Sequence, residues 1–394
     1  MLLKQWMTIN LLASAFVLFF LVPIHAAVQK GPYLIFDGVN TEMRVLWQLD
    51  SSQSCSIQWG NDLLYSMGSA ATVEKGSDIY GHQHTYTVTG LTPGTKYFYR
   101  VNCGPENVGN GSFYTAPLDN ADNVKFMVYG DSRLYPYYHN LVNAQMINTY
   151  TSRDSAYQSI TLHVGDWVTE GSNEAHWASE VFNRASAETI EFQANNPINS
   201  CIGDHEGTGD LFVKYFPYLY KSGDFYWSFD YGPVHISIIN SFIDYSPGSP
   251  QYTWLQNDLA SSTKKWKVLL LHSPGWSAGD IHMNNVDVQN YIQPLAVQYG
   301  VDILFAGDNH YYARATVNGI QHVTTGGGGA PLYTPDPTRE YVVASASSHH
   351  FCEIEINGNN LYFKARDKDG EELDSFHVNK QASFPWLLFL LTLQ

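Results

Sequence analysis

The segment Ser159-Ile-Thr-Leu-His-Val-Gly-Asp-Trp167 is an apolar run that stops abruptly at Gly165-Asp166. Such a run predicts a buried parallel strand whose last residue presents a carboxylate at the carboxyl end of a sheet. A second run, Lys267–Leu271, ends in His272 instead of Asp. Three further segments repeat the strand-Gly-Asp pattern, namely Val124–Asp131, Pro197–Asp204 and Val301–Asp308.

These strands are predicted to deliver Asp and His side chains to one edge of a sheet. In open α/β sheets, ligands bind outside the carboxyl ends of the strands, so this edge is the expected functional site. One Gly-Asp pair is a common turn, but four of them at predicted strand ends form a specific pattern. Aspartate mixed with histidine is the ligand set that one or two divalent metal ions would take.

Length and charge limit the classes of function. The chain has 394 residues, so two domains are expected. The net charge of −16 argues against nucleic acid and anionic membrane surfaces as partners, because both require a cationic face. A small phosphorylated substrate stays compatible with that charge, because metal ions in the site would reverse the local field.

The first 26 residues have the pattern of an export signal. Lys4 supplies a positive start, Ile9–Val22 is the apolar segment, and Ile24-His-Ala26 offers a small-residue cleavage site. The alternative is an uncleaved membrane anchor, which the short apolar run disfavours. We therefore expect a secreted or periplasmic protein with no membrane span in its mature chain. The apolar Phe384–Leu393, in a C-terminal tail predicted over 376–394, is too short to span a core of ~30 Å at ~1.5 Å per residue.

The four cysteines allow three disulfide connectivities. Cys55 and Cys103 are predicted to lie on neighbouring strands and form the better pair. We expect Cys201 to be a buried free thiol beside the site. Cys352 lies in a late strand, and the sequence does not indicate its partner.

Residues 28–117 are predicted to form an all-β domain. Met43–Gln48 and Ser54–Gly60 have the composition of short strands, and Leu91–Val101 carries a Pro-Gly turn ahead of Tyr97. That turn is typical of the tyrosine corner of a β-sandwich. The segment resembles a fibronectin type III domain, which implies an architecture and no activity.

After a polar linker at Pro117–Asn123, strands alternate with helical stretches, and a second domain is predicted over 122–375. This alternation indicates a sandwich of two sheets flanked by helices, an α/β/β/α arrangement. Two strands are expected around Gly232-Pro233. Gly326–Gly329 lacks the Lys-Ser/Thr ending of a P-loop and is interpreted as a tight loop near the site. Helices are predicted over Leu141–Tyr150, Ser172–Ala187 and Tyr252–Ala260.

The order of the motifs adds a resemblance to a known family. In chain order they are Gly130-Asp131-Ser-Arg133, Gly165-Asp166-Trp167, Gly203-Asp204-His205-Glu206, His272-Ser-Pro274 and Gly307-Asp308-Asn309-His310. This order resembles the calcineurin-like metallophosphoesterases. With a β-sandwich in front, the chain is most similar to the purple acid phosphatases and their bacterial relatives.

The resemblance implies a binuclear metal site in which Asp166 bridges two ions about 3.5–4 Å apart. One ion would take Asp131, Asp166 and His310, and the other would take Asp166, Asp204, His272 and Asp308. A hydroxide shared by the metals would attack phosphorus in line.

The resemblance also implies roles for three further side chains. His205 would be the general acid or a donor to the phosphate, although it could instead only orient a ligand. His282 matches a substrate-facing position, against the alternative of a solvated loop residue. Arg133 could bind a phosphate oxygen or form a structural salt bridge. His163, by contrast, is expected to be a core residue bonded to backbone.

Three positions depart from the family pattern. Asp204 stands where the family usually has Asn. Asp308 replaces the first His of the family's Gly-His-x-His motif, so oxygen would dominate the second metal's ligands and favour harder ions such as Mn²⁺, Mg²⁺ or Ca²⁺. Thr169 stands where purple members have Tyr, so no purple colour is expected.

The sequence thus predicts an exported phosphatase that hydrolyses phosphate monoesters, a small-molecule substrate class. It would use two metal ions drawn from Fe, Mn, Zn or Mg, with Ca²⁺ as a further candidate at the oxygen-rich position. A phosphodiesterase or nucleotidase with the same site is the near alternative. A catalytically weakened metal-binding module is the alternative from another class, motivated by Asp204 and Asp308. The sequence does not indicate the oligomeric state.

Overall fold

The computed structural model describes residues 26–78, 80–221, 223–279 and 281–380. The predicted export signal, except for its last residue Ala26, and the apolar segment Phe384–Leu393 lie outside the described residues. Among the helices of the described residues, none is both long enough and apolar enough to cross a membrane.

The first domain is a sandwich of two four-stranded antiparallel sheets with the orders β1-β2-β6-β5 and β4-β3-β7-β8. Tyr97 has its ring buried, and its hydroxyl accepts a hydrogen bond from the Thr92 N–H at 2.9 Å, which confirms the tyrosine corner. Cys55 and Cys103 are register partners on adjacent strands and form a disulfide, as predicted. The strands are β1 Val28–Ile35, β2 Met43–Leu49, β3 Cys55–Gly60, β4 Gly68–Ala71, β5 Val73–Asp78, β6 Gly81–Val88, β7 Lys96–Cys103 and β8 Glu106–Tyr114.

The second domain contains two mixed sheets. One has the order β11-β10-β9-β19-β20-β21 and the other β12-β13-β14-β15-β17-β16-β18. The last strand ends at Asn379, four residues beyond residue 375. The strands are β9 Asn123–Tyr129, β10 Thr161–His163, β11 Ile198–Ser200, β12 Trp227–Tyr231, β13 Val234–Ile238, β14 Trp266–Leu270, β15 Ile303–Ala306, β16 Tyr312–Val317, β17 Ile320–Thr325, β18 Val342–Ala346, β19 His350–Asn357, β20 Asn360–Asp367 and β21 Glu372–Asn379.

The helices confirm two of the three helical predictions. The prediction over Ser172–Ala187 is wrong in its second half. There the Asn183 side chain accepts the Ala185 N–H at 2.9 Å, and this local turn competes with helix continuation. The α-helices are α1 Pro136–Asn148, α2 Glu174–His176, α3 Ala187–Asn195, α4 Asp210–Tyr215, α5 Pro250–Ser261 and α6 Gln293–Tyr299, with π-helical turns at Thr149–Arg153, Trp177–Val181 and Val288–Ile292 and a 3₁₀ turn at Ser155–Tyr157.

The two sheets of the second domain face each other across one core. Alternate residues of β14 show this, because Val268 and Leu270 join the core shared with the first sheet. Leu269 and Leu271 point the other way and pack with side chains of α5 and α6. The α1 and α3 side chains pack on the outer face of the first sheet. The predicted α/β/β/α arrangement is therefore confirmed.

His235 joins the β12–β13 pair to α5 through an imidazole that forms a hydrogen bond at each ring nitrogen. Its Nδ1 lies 2.7 Å from Asp230 Oδ1, and its Nε2 lies 2.9 Å from Asp258 Oδ2. Burial lowers the pKa of His235, but the hydrogen bonds to the two carboxylates outweigh it and raise the pKa to about 9. This imidazole is therefore a charged link between sheet and helix at neutral pH.

Candidate metal centre

The carboxyl ends of strands from both sheets of the second domain meet at one place. Asp131, Asp166 and Asp204 follow the ends of β9, β10 and β11, which are parallel neighbours in the first sheet. His272 and Asp308 follow β14 and β15 of the second sheet, and His310 precedes β16. The ligand atoms of three groups each lie within 4.8 Å of one another, namely Asp131-Asp166-His310, Asp166-Asp204-His205 and Asp204-His272-Asp308.

The local backbone directs these carboxylates inward. Asp131, Asp166 and Asp308 have φ values of 54°, 59° and 69°, in the left-handed region that non-glycine residues seldom adopt. Such conformations cost of order 1–3 kcal/mol each and persist only where the surrounding structure enforces them. Three strained aspartates at adjoining strand ends therefore mark a functional site rather than ordinary turns.

Glycines beside the aspartates allow the loops to approach each other. A Cβ on Gly203 would lie 2.2 Å from Asp166 Oδ1, and a Cβ on Gly307 would lie 2.4 Å from Asp131 Oδ2. Both distances are far below van der Waals contact, so any side chain at these positions would displace a carboxylate. The recurring Gly-Asp pattern thus has a steric origin at these loops.

Three histidines share one orientation in the centre. In His272, His310 and His205, the Nδ1 atom donates to a backbone carbonyl, so the unprotonated Nε2 of a neutral ring faces the carboxylates. This arrangement fixes the tautomer and orients the ring in most metal-ligating histidines. The acceptors are Val164 O for His272 at 2.6 Å, Pro331 O for His310 at 2.8 Å and Thr169 O for His205 at 2.6 Å.

In these contacts, the lone pair of an unprotonated imidazole nitrogen faces the lone pairs of carboxylate oxygens. His272 Nε2 lies 3.2 Å from Asp204 Oδ1 and 3.4 Å from Asp166 Oδ1, and this buried nitrogen makes no hydrogen bond among the described residues. Asp131 Oδ2 is likewise buried and without a hydrogen-bond partner among them. Only positive charge, a proton or a metal ion, can stabilise such an arrangement. The donor set therefore fits metal ions.

The electrostatics of the centre agree with that fit. Burial raises the pKa of Asp131 well above its usual range, and the charges of Asp166 and Asp308 add to the effect. Burial opposes a charge on His272, yet the surrounding carboxylates raise its pKa well above its usual value. Burial lowers the pKa of His310 to about 3, which leaves this imidazole neutral and ready to act as a ligand.

One of the three groups coincides with a predicted ligand set, and a second contains three of the four members of the other set and lacks Asp166. Asp131, Asp166 and His310 come together as one group, and Asp204, His272 and Asp308 as another. The individual metal roles stay predictions. The group formed by Asp166, Asp204 and His205 was not expected, and it places His205 within reach of a metal as well as of a substrate.

Arg133 and His282 lie at the edge of the centre. Arg133 Nε donates to Asp166 Oδ2 at 3.1 Å, so the guanidinium contacts the predicted bridging carboxylate. His282 has a side chain 37% exposed, and its Nδ1 lies 3.3 Å from Asp308 Oδ1. Their roles in the reaction stay predictions.

Glu206 is a site residue whose role the sequence analysis missed. Its buried carboxylate accepts three backbone N–H groups, from Asp166 at 3.0 Å, Trp167 at 2.8 Å and Gly203 at 2.6 Å. Burial and the nearby Asp166 charge raise its pKa to about 7. Glu206 thereby clamps the β10 and β11 loops together. Its position in the Gly203–Glu206 motif was the only signal available.

A second carboxylate, Glu180, ties the loops that follow β9 and β10. It accepts the N–H groups of Leu134 and Thr169 at 2.8 Å each, and the Thr169 hydroxyl at 3.1 Å. The Thr169 side chain, at the position where purple members carry Tyr, is therefore engaged by Glu180. No signal in the sequence connected Glu180 to the site.

Three other expectations about the surroundings are confirmed. His163 is fully buried, stacks on Trp167 with ring centroids 3.5 Å apart, and accepts the Gly165 N–H. Gly326–Gly329 packs against the β9 loop, where a Cβ on Gly326 would lie 2.9 Å from Asp131 Oδ2. Cys201 is a buried free thiol, as expected.

The strand ends bring three Asp- and His-containing groups together and form a candidate metal centre. Comparison with known proteins places this centre in a phosphoesterase domain. Residues 30–116 match the family "Purple acid Phosphatase, N-terminal domain", and residues 121–312 match "Calcineurin-like phosphoesterase". The chain therefore combines a purple acid phosphatase N-terminal domain with a calcineurin-like phosphoesterase domain, and a phosphoesterase domain of this kind implies a binuclear metal site.

Curated relatives support the same assignment. "Probable purple acid phosphatase 20" of Arabidopsis thaliana is 26% identical over 69% of this chain and 66% of its own length. "Purple acid phosphatase 18" of the same plant is 30% identical over 39% of each chain. A purple acid phosphatase of Glycine max is 24% identical over 75% of this chain and 71% of its own. The chain thus spans less than two thirds of the length of the first two of these relatives.

Solved structures show the same fold at lower identity. A purple acid phosphatase from yellow lupin (Lupinus luteus) seeds has a TM-score of 0.74 at 20% identity, with 90% of this chain and 74% of that chain covered. PhoD has a TM-score of 0.63 at 14% identity, with 91% and 92% covered. At these identities the likeness concerns the architecture of sandwich plus phosphoesterase domain and leaves the substrate open.

Proposed function

We propose that the protein hydrolyses phosphate monoesters at a binuclear metal centre held by Asp131, Asp166, Asp204, His272, Asp308 and His310. One observation carries this proposal. The unpartnered Nε2 of His272 faces the carboxylates of Asp166 and Asp204, inside a cluster that shares Asp166 between two candidate ligand groups. Bound metal ions would neutralise charge on the phosphate and acidify a water molecule for attack on phosphorus.

The chain's own side chains would bind the phosphate and supply the proton. Arg133 already lies against Asp166, and its planar guanidinium can offer two N–H groups to phosphate oxygens. His205 has a 28% exposed side chain whose Nδ1 is committed to the Thr169 carbonyl. A second proton on that ring must therefore sit on Nε2. That atom would donate it to the departing alcohol oxygen.

The ligand chemistry at position 308 supports a preference for hard metal ions. With Asp308 in place of a histidine, the group Asp204-His272-Asp308 offers carboxylate oxygens from two of its three members. Oxygen-rich sites favour Mn²⁺, Mg²⁺ and, with enough ligands, Ca²⁺. We infer that Mn²⁺ or Mg²⁺ activates metal-stripped protein better than Zn²⁺, and that Asp308→His reverses this order.

Thr169 supports a colourless enzyme. Its hydroxyl and backbone N–H are both bonded to Glu180, and threonine has no phenolate to give charge transfer to ferric iron. An absorption spectrum of the iron-loaded protein tests this point. A strong visible band would show that another side chain supplies a charge-transfer ligand.

We further propose that the protein is exported. The signal-like pattern of the first 26 residues supports export, and so does the disulfide between Cys55 and Cys103, because such bonds persist in oxidising compartments. Amino-terminal sequencing of protein recovered from the medium or periplasm tests the proposal. A chain that keeps residues 1–26 and stays in the cytosol would contradict it.

The direct test combines metal analysis with a phosphoester panel. Metal-loaded protein should bind two metal ions per chain and turn over 4-nitrophenyl phosphate faster than bis-4-nitrophenyl phosphate. The order would reverse in a phosphodiesterase. Asp166→Asn should lose both metal uptake and turnover, whereas the matched change Asp122→Asn, at an exposed aspartate, should alter neither. Full activity in Asp166→Asn would remove the proposal.

A further inference from the structure

A pocket of 200 Å³ opens beside the candidate metal centre. Ile202 and Gly207 lie on either side of the Gly203–Glu206 motif and form part of its wall. Phe242 forms another part, and its ring lies 5.8 Å from the ring of His272. The pocket wall therefore includes both neighbours of the motif that carries Asp204 and a ring that lies near His272, so the pocket lies next to the candidate centre.

The loop that carries Phe242 is anchored to the centre. Ser241 Oγ accepts the backbone N–H groups of His272 at 3.1 Å and Ser273 at 3.2 Å. The Phe242 N–H donates to Asn240 Oδ1 at 2.9 Å, which shapes the turn before the ring. Phe242, which is 45% exposed, thus lines the pocket from a loop that backbone contacts hold in place.

The part of the wall that Phe225 contributes is also preformed. Phe225 adopts φ 59°, a costly conformation for an aromatic residue. The Asn240 side chain donates to the Asp224 carbonyl at 3.0 Å and so fixes the segment that carries Phe225. A Cβ on Gly209 would lie 2.4 Å from the Phe225 ring, so the loop after His205 packs closely behind it.

The lining sets the chemical class of the occupant. Ile202, Phe225, Phe242 and Ile243 supply apolar and aromatic surface, Thr208 and Asn240 supply uncharged polar groups, and Asp224 is the one ionisable residue in the described lining. With a carboxylate and no described Lys, Arg or His there, the pocket repels a second anionic group. A cavity of about 150 Å³ suffices to bind benzene in an engineered protein, so 200 Å³ accommodates one aromatic ring.

We propose that this pocket, the leaving-group pocket, binds the uncharged aromatic alcohol portion of the substrate, so that the preferred substrates are aryl- or arylalkyl phosphate monoesters. The inference rests on the proposed function and specifies its substrate. In the reaction, water oxygen forms a bond to phosphorus, the bond from phosphorus to the ester oxygen breaks, and that oxygen takes a proton from His205. The proton that the water loses replaces the one given up by His205. The products are the aromatic alcohol and inorganic phosphate.

The test compares two esters whose alcohols have similar acidity, benzyl phosphate and 2-methoxyethyl phosphate, on metal-loaded full-length protein. Wild type should show a kcat/KM for benzyl phosphate at least tenfold higher than for the alkyl ester. Phe242→Ala should lower the ratio of the two kcat/KM values about three- to tenfold, the effect of losing one aromatic contact. Ile243→Thr should lower the ratio in the same direction.

The matched control is Tyr362→Ala, which removes an aromatic ring of similar exposure, 43%, from β20. Its ratio should equal that of wild type. Equal wild-type values for the two esters, or an unchanged ratio in both pocket variants, would overturn the proposal. If wild type hydrolyses neither ester, the proposed function fails. Calorimetry with benzylphosphonate and ethylphosphonate then tests binding in the pocket independently of turnover. Equal Kd values for the two compounds would overturn the proposed aromatic pocket.

Discussion

The clamp formed by Glu206 makes a specific prediction for Glu206→Gln, a change that preserves shape and removes charge. The carboxylate accepts the N–H groups of Asp166 and Gly203 on one oxygen and that of Trp167 on the other. Glutamine has one carbonyl oxygen and one NH₂ group. In either orientation at least one buried backbone N–H therefore faces another donor and loses its acceptor.

The magnitude follows from these contacts. An unsatisfied buried donor costs about 1–3 kcal/mol, and the surviving hydrogen bonds lose the strength that the carboxylate charge gave them. We expect Glu206→Gln to lower the free energy of unfolding by about 2–4 kcal/mol in urea titrations. Because the clamp positions Asp166 and the loop that carries Asp204, metal affinity should also fall about 10–100-fold, as for other residues that orient metal ligands.

The control is Glu170→Gln, the same chemical change at an exposed glutamate of the neighbouring loop. That variant should keep its free energy of unfolding within ~0.5 kcal/mol of wild type and its metal affinity unchanged. If Glu206→Gln behaved as Glu170→Gln does in both measurements, the clamp would have no role in the centre, and the reasoning from its three hydrogen bonds would be refuted.

Three further predictions concern a buried ion pair, a glycine of the centre and the disulfide of the first domain. Because the pKa of His235 is raised from 6.5 to about 9, its stabilisation is complete below pH 6.5 and is lost as pH rises through 9. Wild type should therefore lose up to about 3 kcal/mol more unfolding free energy than His235→Gln between pH 6 and pH 10, and parallel pH profiles would contradict this. Gly203→Ala should abolish metal uptake by displacing Asp166, whereas Gly76→Ala, where an added Cβ meets nothing within 4 Å, should not. Replacing both Cys55 and Cys103 by Ser should lower the unfolding free energy by about 2–4 kcal/mol, given their separation of 48 residues, and an unchanged urea midpoint would show that the bond is dispensable.

The fold was predictable where the deciding signals are local. An apolar run that ends in Gly-Asp identifies a buried strand and its functional end, so Asp131, Asp166, Asp204 and Asp308 could be placed at strand ends from the sequence. The Pro-Gly turn before Tyr97 identified the sandwich in the same way. The helix predicted across Asn183 failed because its side chain bonds the local backbone and ends the periodic pattern early.

The rest of the site depends on contacts between distant segments. The partners of Glu206 and Glu180 are backbone amides on loops that only the folded chain brings together. Nearly every residue type has a backbone N–H, so the sequence does not show which of them bind these carboxylates. The tautomers of His272 and His310 are likewise set by the carbonyls of Val164 and Pro331, far away in sequence. Sequence patterns could identify the candidate ligands. They could not identify what orients them.

The central claim is that the sheet edge holds two metal ions bridged by Asp166. Crystals loaded with Mn²⁺ and measured at the manganese absorption edge test it most directly. We predict two anomalous peaks about 3.5–4 Å apart, one bounded by Asp131 and His310 and the other by His272 and Asp308. A fully loaded crystal with no peak beside Asp166, or with one peak that touches neither histidine, would contradict the account.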